Sequence, residues 1–350
     1  MNRRSFLAAA SVAPAAAAVA ADDPATPAAG PGKGLKVIVP RVSREEFMDL
    51  QSVAPGVELI PCNGEDEAVA RAGEAHGLCS FVTPRVIRAG AKSLRWVQNG
   101  SAGVEHLMGI PELVEGPIVL TNMARAYAPE IADQALAYLL AFTRDIPHFL
   151  GSRAEKRWGK KRPGVVLDEL AGKTMLIIGM GGIGSEIARR AYGFGVRVVA
   201  TDPKVWERPL FVDELHKPDK FHELLPTADI VASAVPLTKV STGMIGAREF
   251  EMMKPGVILI NVSRGKVVDT DALVSALDSG KVSAAGLDVT NPEPLPNDHP
   301  LWSRNVIITP HTAGQSPGGE RRRKEILREN LRRFAAGEAL LNVVDKKAGY

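Results

Sequence analysis

Cysteine is almost missing from this 350-residue chain: Cys62 and Cys79 are the only two, and they show no CxxC spacing. Two thiols cannot build a metal cage alone, so no metal centre is expected and both cysteines are predicted to be buried. Charge of one sign is also lacking in excess, since Lys plus Arg number 43 against 40 Asp plus Glu. That near balance gives no reason to expect nucleic acid or an anionic membrane as a partner. Beyond the first residues there is no long uncharged apolar run, so no transmembrane helix is predicted.

What is present begins with MNRRSFLAAASVAPAAAAVAADDPA. Arg3 and Arg4 precede an alanine-rich apolar stretch, and Ala18, Val19 and Ala20 supply small residues where a signal peptidase would cut. A twin-arginine signal peptide is therefore expected over 1–21, followed by a Pro/Gly-rich linker over 22–34. The destination would be periplasmic, or cytoplasmic if the signal is not used. The run from Phe6 to Ala21 is short of a bilayer span and carries Pro14, so no stable membrane anchor is expected. Twin-arginine cargo folds first in a reducing cytoplasm, so both thiols are predicted to be free.

From Leu35 onward, short apolar runs alternate with amphipathic stretches: KVIVP, SREEFMDLQSVA, VELIP, EDEAVARAG, GLCSFV and LRWVQNG. Alternation of this kind builds parallel sheets covered by helices on both faces. A long helix is predicted over PEIADQALAYLLAFTRDI, with Pro129 in its first turn. After a charged connector, RAEKRWGKKRPG, a second series follows: TMLIIG, SEIARRAYGFG, RVVATD, ADIVASAVP, VILINVS, AAGLDV and NVIITP. Two series predict two doubly wound α/β domains with a cleft between them. The closing stretch ERRRKEILRENLRRFAAG reads as a helix with Leu327, Leu331 and Phe334 on one face. Its arginines alternate with glutamates, which predicts a solvated face and not an RNA-binding one.

GKTMLIIGMGGIGSEIARRA contains Gly179, Gly181 and Gly184 as GxGxxG, between a strand-forming and a helix-forming run. In that setting the first glycine permits a tight turn, the second lets backbone approach a pyrophosphate, and the third lets helix and sheet pack closely. The next strand ends at Asp202, placed to accept the ribose hydroxyls of NAD and to repel the added phosphate of NADP. Lys204 and Arg208 lie close enough to soften that preference, so NAD is the expected cofactor.

Three polar residues follow apolar strands: Arg264 in LINVSRG, Glu293 in LDVTNPEPLP and His311 in IITPHTAG. Ligands in open parallel sheets collect at the carboxyl ends of strands, so the three can converge beside a nicotinamide. Reducing a 2-keto acid calls for a fixed cation to bind the carboxylate and polarise the ketone, which suits arginine's planar fork. It also calls for a proton donor working near neutral pH, which suits histidine, and for a carboxylate to orient that ring.

GMGGIG, NVSRG, LDVTNPEP and TPHTAG, in this order, resemble the D-isomer-specific 2-hydroxyacid dehydrogenases, from Leu35 to about Asp345. The resemblance implies Arg264 for substrate binding, Glu293 paired with His311, and His311 as acid and base. It implies that backbone N–H groups at Ser101, Ala102, Gly103 and Val104 hold the substrate carboxylate. For the cofactor it implies Gly182, Ile183, Pro236 and Asp288 beside the three motif glycines and Asp202. The implied layout is a flavodoxin-like substrate domain from 35–128 and 315–350, with a Rossmann NAD-binding domain, 129–314, inserted and hinged near Ala128 and Gly314. It further implies a homodimer formed through the helix at Pro129, a small 2-keto or 2-hydroxy acid substrate, and no room for an added regulatory domain. This chain departs from the family at Thr290, where an aromatic residue is frequent, and at Asp133-Gln134, where Glu-His is frequent. The other reading the sequence allows is an exported nucleotide-binding sensor or scaffold with little catalysis, suggested by the leader and opposed by the intact Arg264, Glu293 and His311 set.

Overall fold

The computed structural model describes residues 34–162, 165–204 and 207–350; the expected signal peptide and all but the last residue of the expected linker lie outside the described residues. Runs such as LKVIVP hold apolar residues at successive positions, and Val37, Ile38 and Val39 are all fully buried, which marks a strand covered on both faces. Five such segments pair in parallel: β1 (Leu35–Pro40), β2 (Val57–Cys62), β3 (Gly77–Leu78), β4 (Trp96–Gln98) and β5 (Val119–Thr121). Their spatial order is β2-β1-β3-β4-β5, that of a flavodoxin-like sheet.

The second sheet has seven parallel strands: β6 (Thr174–Ile178), β7 (Arg197–Thr201), β8 (Glu214–His216), β9 (Ile230–Ser233), β10 (Val257–Asn261), β11 (Val282–Leu287) and β12 (Val306–Ile308). The order β12-β11-β10-β9-β6-β7-β8 reverses direction between β6 and β9. A crevice opens at the carboxyl ends of strands at such a reversal, which is where a dinucleotide binds in a Rossmann fold. The fold class read from the two alternating series is therefore the observed one.

The helix Ala128–Thr143 belongs to the second layer system. Ala132, Ala135, Leu136 and Leu139 face the glycine-loop helix Gly182–Gly193, whose Ala188 and Ala191 are buried. Small side chains on both sides allow close approach, and Asp133 accepts a 2.6 Å hydrogen bond from Arg190 at the rim. Tyr138 of the same helix fits over Gly286 of β11, where a Cβ would stand 2.6 Å from the ring. The helix ends before the predicted Ile146, because Asp145 takes a left-handed φ of 52° and its buried carboxylate pairs with Arg162. A second helix, Ile146–Ala154, then follows and runs into the first two residues of the stretch the sequence presents as a connector.

The final helix, Pro317–Ala336, returns to the first sheet. Leu327, Leu331 and Phe334 are buried as expected, and the Phe334 ring lies 5.0 Å from that of Trp96. Arg322, Arg323, Lys324, Arg328, Arg332 and Arg333 are paired with carboxylates, Arg328 with Asp49 at 3.1 Å. The two crossings between sheets run side by side, since a Cβ on Gly314 would stand 3.5 Å from Tyr127. Cys62 and Cys79 are both free thiols; Cys62 is buried and Cys79 is partly so. Among the described residues, no helix is long and apolar enough to cross a membrane.

Candidate active site

The glycine loop follows β6 directly. Gly179 sits at φ 93°, a conformation that L side chains rarely adopt, and a Cβ there would stand 2.9 Å from the Ala234 carbonyl at the end of β9. At Gly184 a Cβ would stand 1.9 Å from the Gly179 carbonyl, so only glycine lets the helix rest on the strand. Gly181 differs from both. A Cβ there would meet nothing within 4 Å, which leaves open space before the helix N-terminus. The first-turn N–H groups of Gly182, Ile183 and Gly184 have no acceptor within their own helix and carry the positive end of its dipole. Open space facing such a terminus fits a pyrophosphate.

Asp202 closes the corner beside the loop. Its buried carboxylate accepts from the Met180 N–H at 2.7 Å and from the Lys204 N–H at 2.7 Å, which fixes it at the end of β7. Pro236 lies in the exposed loop after β9, and its carbonyl accepts from the Ser241 hydroxyl at 2.6 Å. The residues present thus fit a nicotinamide dinucleotide.

Across the cleft, the loop after β4 carries Ser101, Ala102, Gly103 and Val104. Asn99 donates to the carbonyls of Ser101 and Gly103 at 3.0 and 2.8 Å, and Asn122 donates to that of Ala102 at 2.7 Å. In a planar trans peptide the next N–H points opposite the carbonyl. The N–H groups of Ala102, Gly103 and Val104 therefore point away from the asparagine side chains that hold those carbonyls.

Arg264 reaches this loop from the turn after β10. Its Nε donates to Glu105 at 2.6 Å and its Nη1 to the Ser263 carbonyl at 2.8 Å. Nη2 lies against Gly103, 1.8 Å from where a Cβ would be. Burial pushes the Glu105 carboxyl up, but the hydrogen bond and charge of Arg264 outweigh it, so its pKa falls below the ordinary glutamate value. A guanidinium and three backbone N–H groups so placed can hold a carboxylate.

His311 Nδ1 stands 2.8 Å from Glu293 Oε1, and both side chains are nearly half exposed to the cleft. With Nδ1 engaged, Nε2 is the nitrogen left to face a substrate. The histidine has a positive φ of 55°, and the loop that holds it there is organised by Asp288. That buried carboxylate accepts from the Thr309 hydroxyl at 2.5 Å and from the N–H groups of Thr312 and Ala313 at 3.0 and 3.1 Å. Tyr138 hydrogen-bonds Thr309 in turn.

The structure brings Arg264 together with the loop Ser101–Val104, and Glu293 together with His311. Asp288, expected as a cofactor contact, is engaged chiefly with the His311 loop. Sequence reasoning missed Glu105, Asn99 and Asn122, although Glu105 directly follows the predicted anion-binding loop and was the available signal. It also missed Arg125, whose side chain packs 2.7 Å from where a Cβ on Gly182 would stand.

The family model described as "D-isomer specific 2-hydroxyacid dehydrogenase, NAD binding domain" matches residues 136–313. A glyoxylate reductase of Thermococcus gammatolerans is 34% identical over 326 residues, covering 89% of this chain and 96% of that protein. A D-3-phosphoglycerate dehydrogenase of Archaeoglobus fulgidus is 36% identical over 318 residues, covering 89% of this chain and 59% of that one. Among solved structures, a D-isomer specific 2-hydroxyacid dehydrogenase from Xanthobacter autotrophicus Py2, in complex with NADPH and MES, superposes with a TM-score of 0.76 at 29% identity, covering 91% of this chain and all of that one. With the glycine loop, the cross-cleft arginine and the glutamate–histidine pair in place, these likenesses show that the chain belongs to the D-isomer specific 2-hydroxyacid dehydrogenase family.

Proposed function

We propose that this protein is an NAD(H)-dependent oxidoreductase that interconverts a small 2-keto acid and the corresponding D-2-hydroxy acid. The observation that carries the reading is the placement of Arg264 against the Ser101–Val104 loop, together with the His311–Glu293 hydrogen bond. The relatives named glyoxylate reductase put glyoxylate first among substrates to try, with hydroxypyruvate and pyruvate next.

Bound NADH would supply the hydride, held by the glycine loop, by the helix N-terminus and by Asp202 at its ribose. The chain's own residues do the rest. Arg264 and the N–H groups of Ala102, Gly103 and Val104 bind the substrate carboxylate, and the guanidinium polarises the neighbouring ketone. His311 gives a proton from Nε2 to the oxygen as it becomes an alkoxide, and takes it back in the reverse direction. Glu293 accepts from Nδ1, which fixes the ring and leaves Nε2 toward the substrate. Glu105 holds Arg264 by Nε and leaves the guanidinium's outer edge toward the loop. A sensor would need neither the proton donor nor its orienting carboxylate.

The leader MNRRSFLAAA leads us to place the mature enzyme in the periplasm, carrying its NAD from the cytoplasm and alternating two substrates on the retained nucleotide. Two copies are proposed to pair through the segment that follows the long helix, where Ile146, Leu150, Trp158 and Val166 are exposed and Trp158 is 97% so. The long helix itself spends its apolar face within its own domain.

The test is to recover protein from the periplasmic fraction, wash it, measure its nicotinamide content, and follow reduced-nicotinamide absorbance on adding each keto acid. Bound NADH consumed by one of them supports the whole reading. Purified protein that turns over none of them with added NADH refutes the activity, and protein confined to the cytoplasm refutes the export.

A further inference from the structure

Residues after the final helix form a structure of their own. The helix stops at Gly337, and the chain then runs back along the first sheet. Leu341 donates to the Asn330 side chain at 2.7 Å, Val343 bridges Thr121 in antiparallel fashion, and Val344 donates to the Leu120 carbonyl at 2.8 Å. Lys346 then turns inward and donates to the carbonyls of Leu113, Gly116 and Ile118 at 3.0, 2.7 and 3.1 Å. Three acceptors satisfy all three donors of an ammonium, so this point is firmly tied to the first domain.

Asp345 closes a tight turn beyond it. Its carboxylate accepts from the N–H groups of Lys347 and Ala348, both at 3.0 Å, and its carbonyl accepts from that of Gly349 at 2.8 Å. This turn presents the Tyr350 ring to the other domain, where Lys204 Nζ stands 4.1 Å from the ring centre. Lys204 is the second residue after the ribose acid Asp202. Backbone N–H groups hold the Asp345 carboxyl below the usual range, with Lys204 contributing, while burial pushes the Tyr350 phenol up, with Asp202 contributing. Both residues of the turn therefore sit within electrostatic reach of the ribose corner.

We propose that the turn Asp345–Tyr350 is a cofactor-specificity element, which holds Lys204 by its aromatic face and nearby carboxylate and so favours NAD(H) over NADP(H). The proposal rests on the dehydrogenase reading given above. A 2′-phosphate at the ribose corner needs a cation, and Lys204, two residues beyond Asp202, is one that the end of β7 supplies. The Tyr350 ring attracts that ammonium by its quadrupole. Asp345 adds a negative charge that attracts Lys204 and repels an incoming phosphate. Because Lys346 and Val344 anchor the segment independently, the turn stays in place when the ring is removed.

The experiment measures equilibrium binding of NADH and NADPH, by nicotinamide fluorescence and without substrate, so its readout is independent of turnover. Tyr350→Ala and, separately, Asp345→Asn are expected to tighten NADPH by about three- to tenfold, with NADH changed by less than about twofold. Tyr350→Phe keeps the ring and is expected to match the wild type. Adding Lys204→Ala to Tyr350→Ala is expected to abolish the gain. NADPH affinity unchanged in both single variants, a gain that survives loss of Lys204, or parallel changes for the two dinucleotides would overturn the proposal. Wild-type protein that binds NADH but turns over no keto acid would fail the function reading while leaving this one standing. Wild-type protein that binds neither dinucleotide would remove both.

Discussion

Gly103→Ala separates the site from the fold. An added Cβ would stand 1.8 Å from Arg264 Nη2 and 2.6 Å from Glu105 Oε2, whereas real Cβ contacts stay outside 3.0 Å. The guanidinium must therefore retreat by at least 1.2 Å from its place against the loop. A displacement of that size in a substrate-positioning group costs about a hundredfold in rate, or roughly 2.7 kcal/mol of transition-state stabilisation. The fold should hardly notice. Both colliding groups are the ends of flexible side chains about 30% exposed, so moving them costs roughly 0–1 kcal/mol, offset in part by the lower chain entropy of unfolded Ala. Initial rates with glyoxylate and NADH, together with a thermal melt and NADH binding, make the assay. The expected result is kcat/KM down by about two orders of magnitude, Tm within about 4 °C and NADH affinity unchanged. Wild-type kcat/KM, or a loss of activity matched by a collapse in Tm, would refute the placement of Arg264.

Gly184→Ala should do the opposite, because its Cβ would meet the Gly179 carbonyl at 1.9 Å and backbone has nowhere to go; a loss of about 1–3 kcal/mol in chemical unfolding and weaker NADH binding are expected. His311→Ala should cut kcat by about 10²–10⁴-fold while NADH binding survives, and near-normal turnover would dismiss the histidine as acid and base. Asp288→Asn can keep an oxygen on Thr309 and Thr312 but sets its amide donor against the Ala313 N–H at the Oδ2 position, so kcat should fall with little change in NADH affinity; a selective loss of NADH affinity would instead make Asp288 a cofactor contact. Glu105 has a folded pKa depressed below the ordinary value of about 4.5, so the stability it contributes is complete above that pH and lost as pH falls through the depressed value. Melts of Glu105→Gln across that acid window should accordingly show a flatter pH dependence than the wild type, and parallel curves would count against the Arg264 bridge.

Local pattern sufficed for much of this molecule. Apolar runs of strand length, such as LKVIVP and VILIN, are buried on both faces, and a strand followed at once by Gly179, Gly181 and Gly184 reads as the start of a nucleotide fold. His311 and Glu293 were legible because chemistry restricts which residues follow strands at a crevice. Where pattern is weak, the reading stopped short. β8 is three half-exposed residues with a glutamate paired to Arg197, so it offers no apolar run, and only pairing with β7 makes it a strand. The long helix was overrun because its end depends on Asp145 meeting Arg162, a contact 17 residues away.

Sequence by itself determined the two parallel sheets, the glycine loop, the acid at the end of the strand that follows it, and the histidine and glutamate placed after strands, because each rests on periodicity or on residue chemistry close along the chain. Tertiary structure alone decided that Arg264 meets Glu105 across 159 positions, that Tyr138 supports the His311 loop through Thr309 across 171, and that Tyr350 covers Lys204. Those contacts depend on how two sheets face one another across a cleft, and a one-dimensional pattern carries no term for that distance.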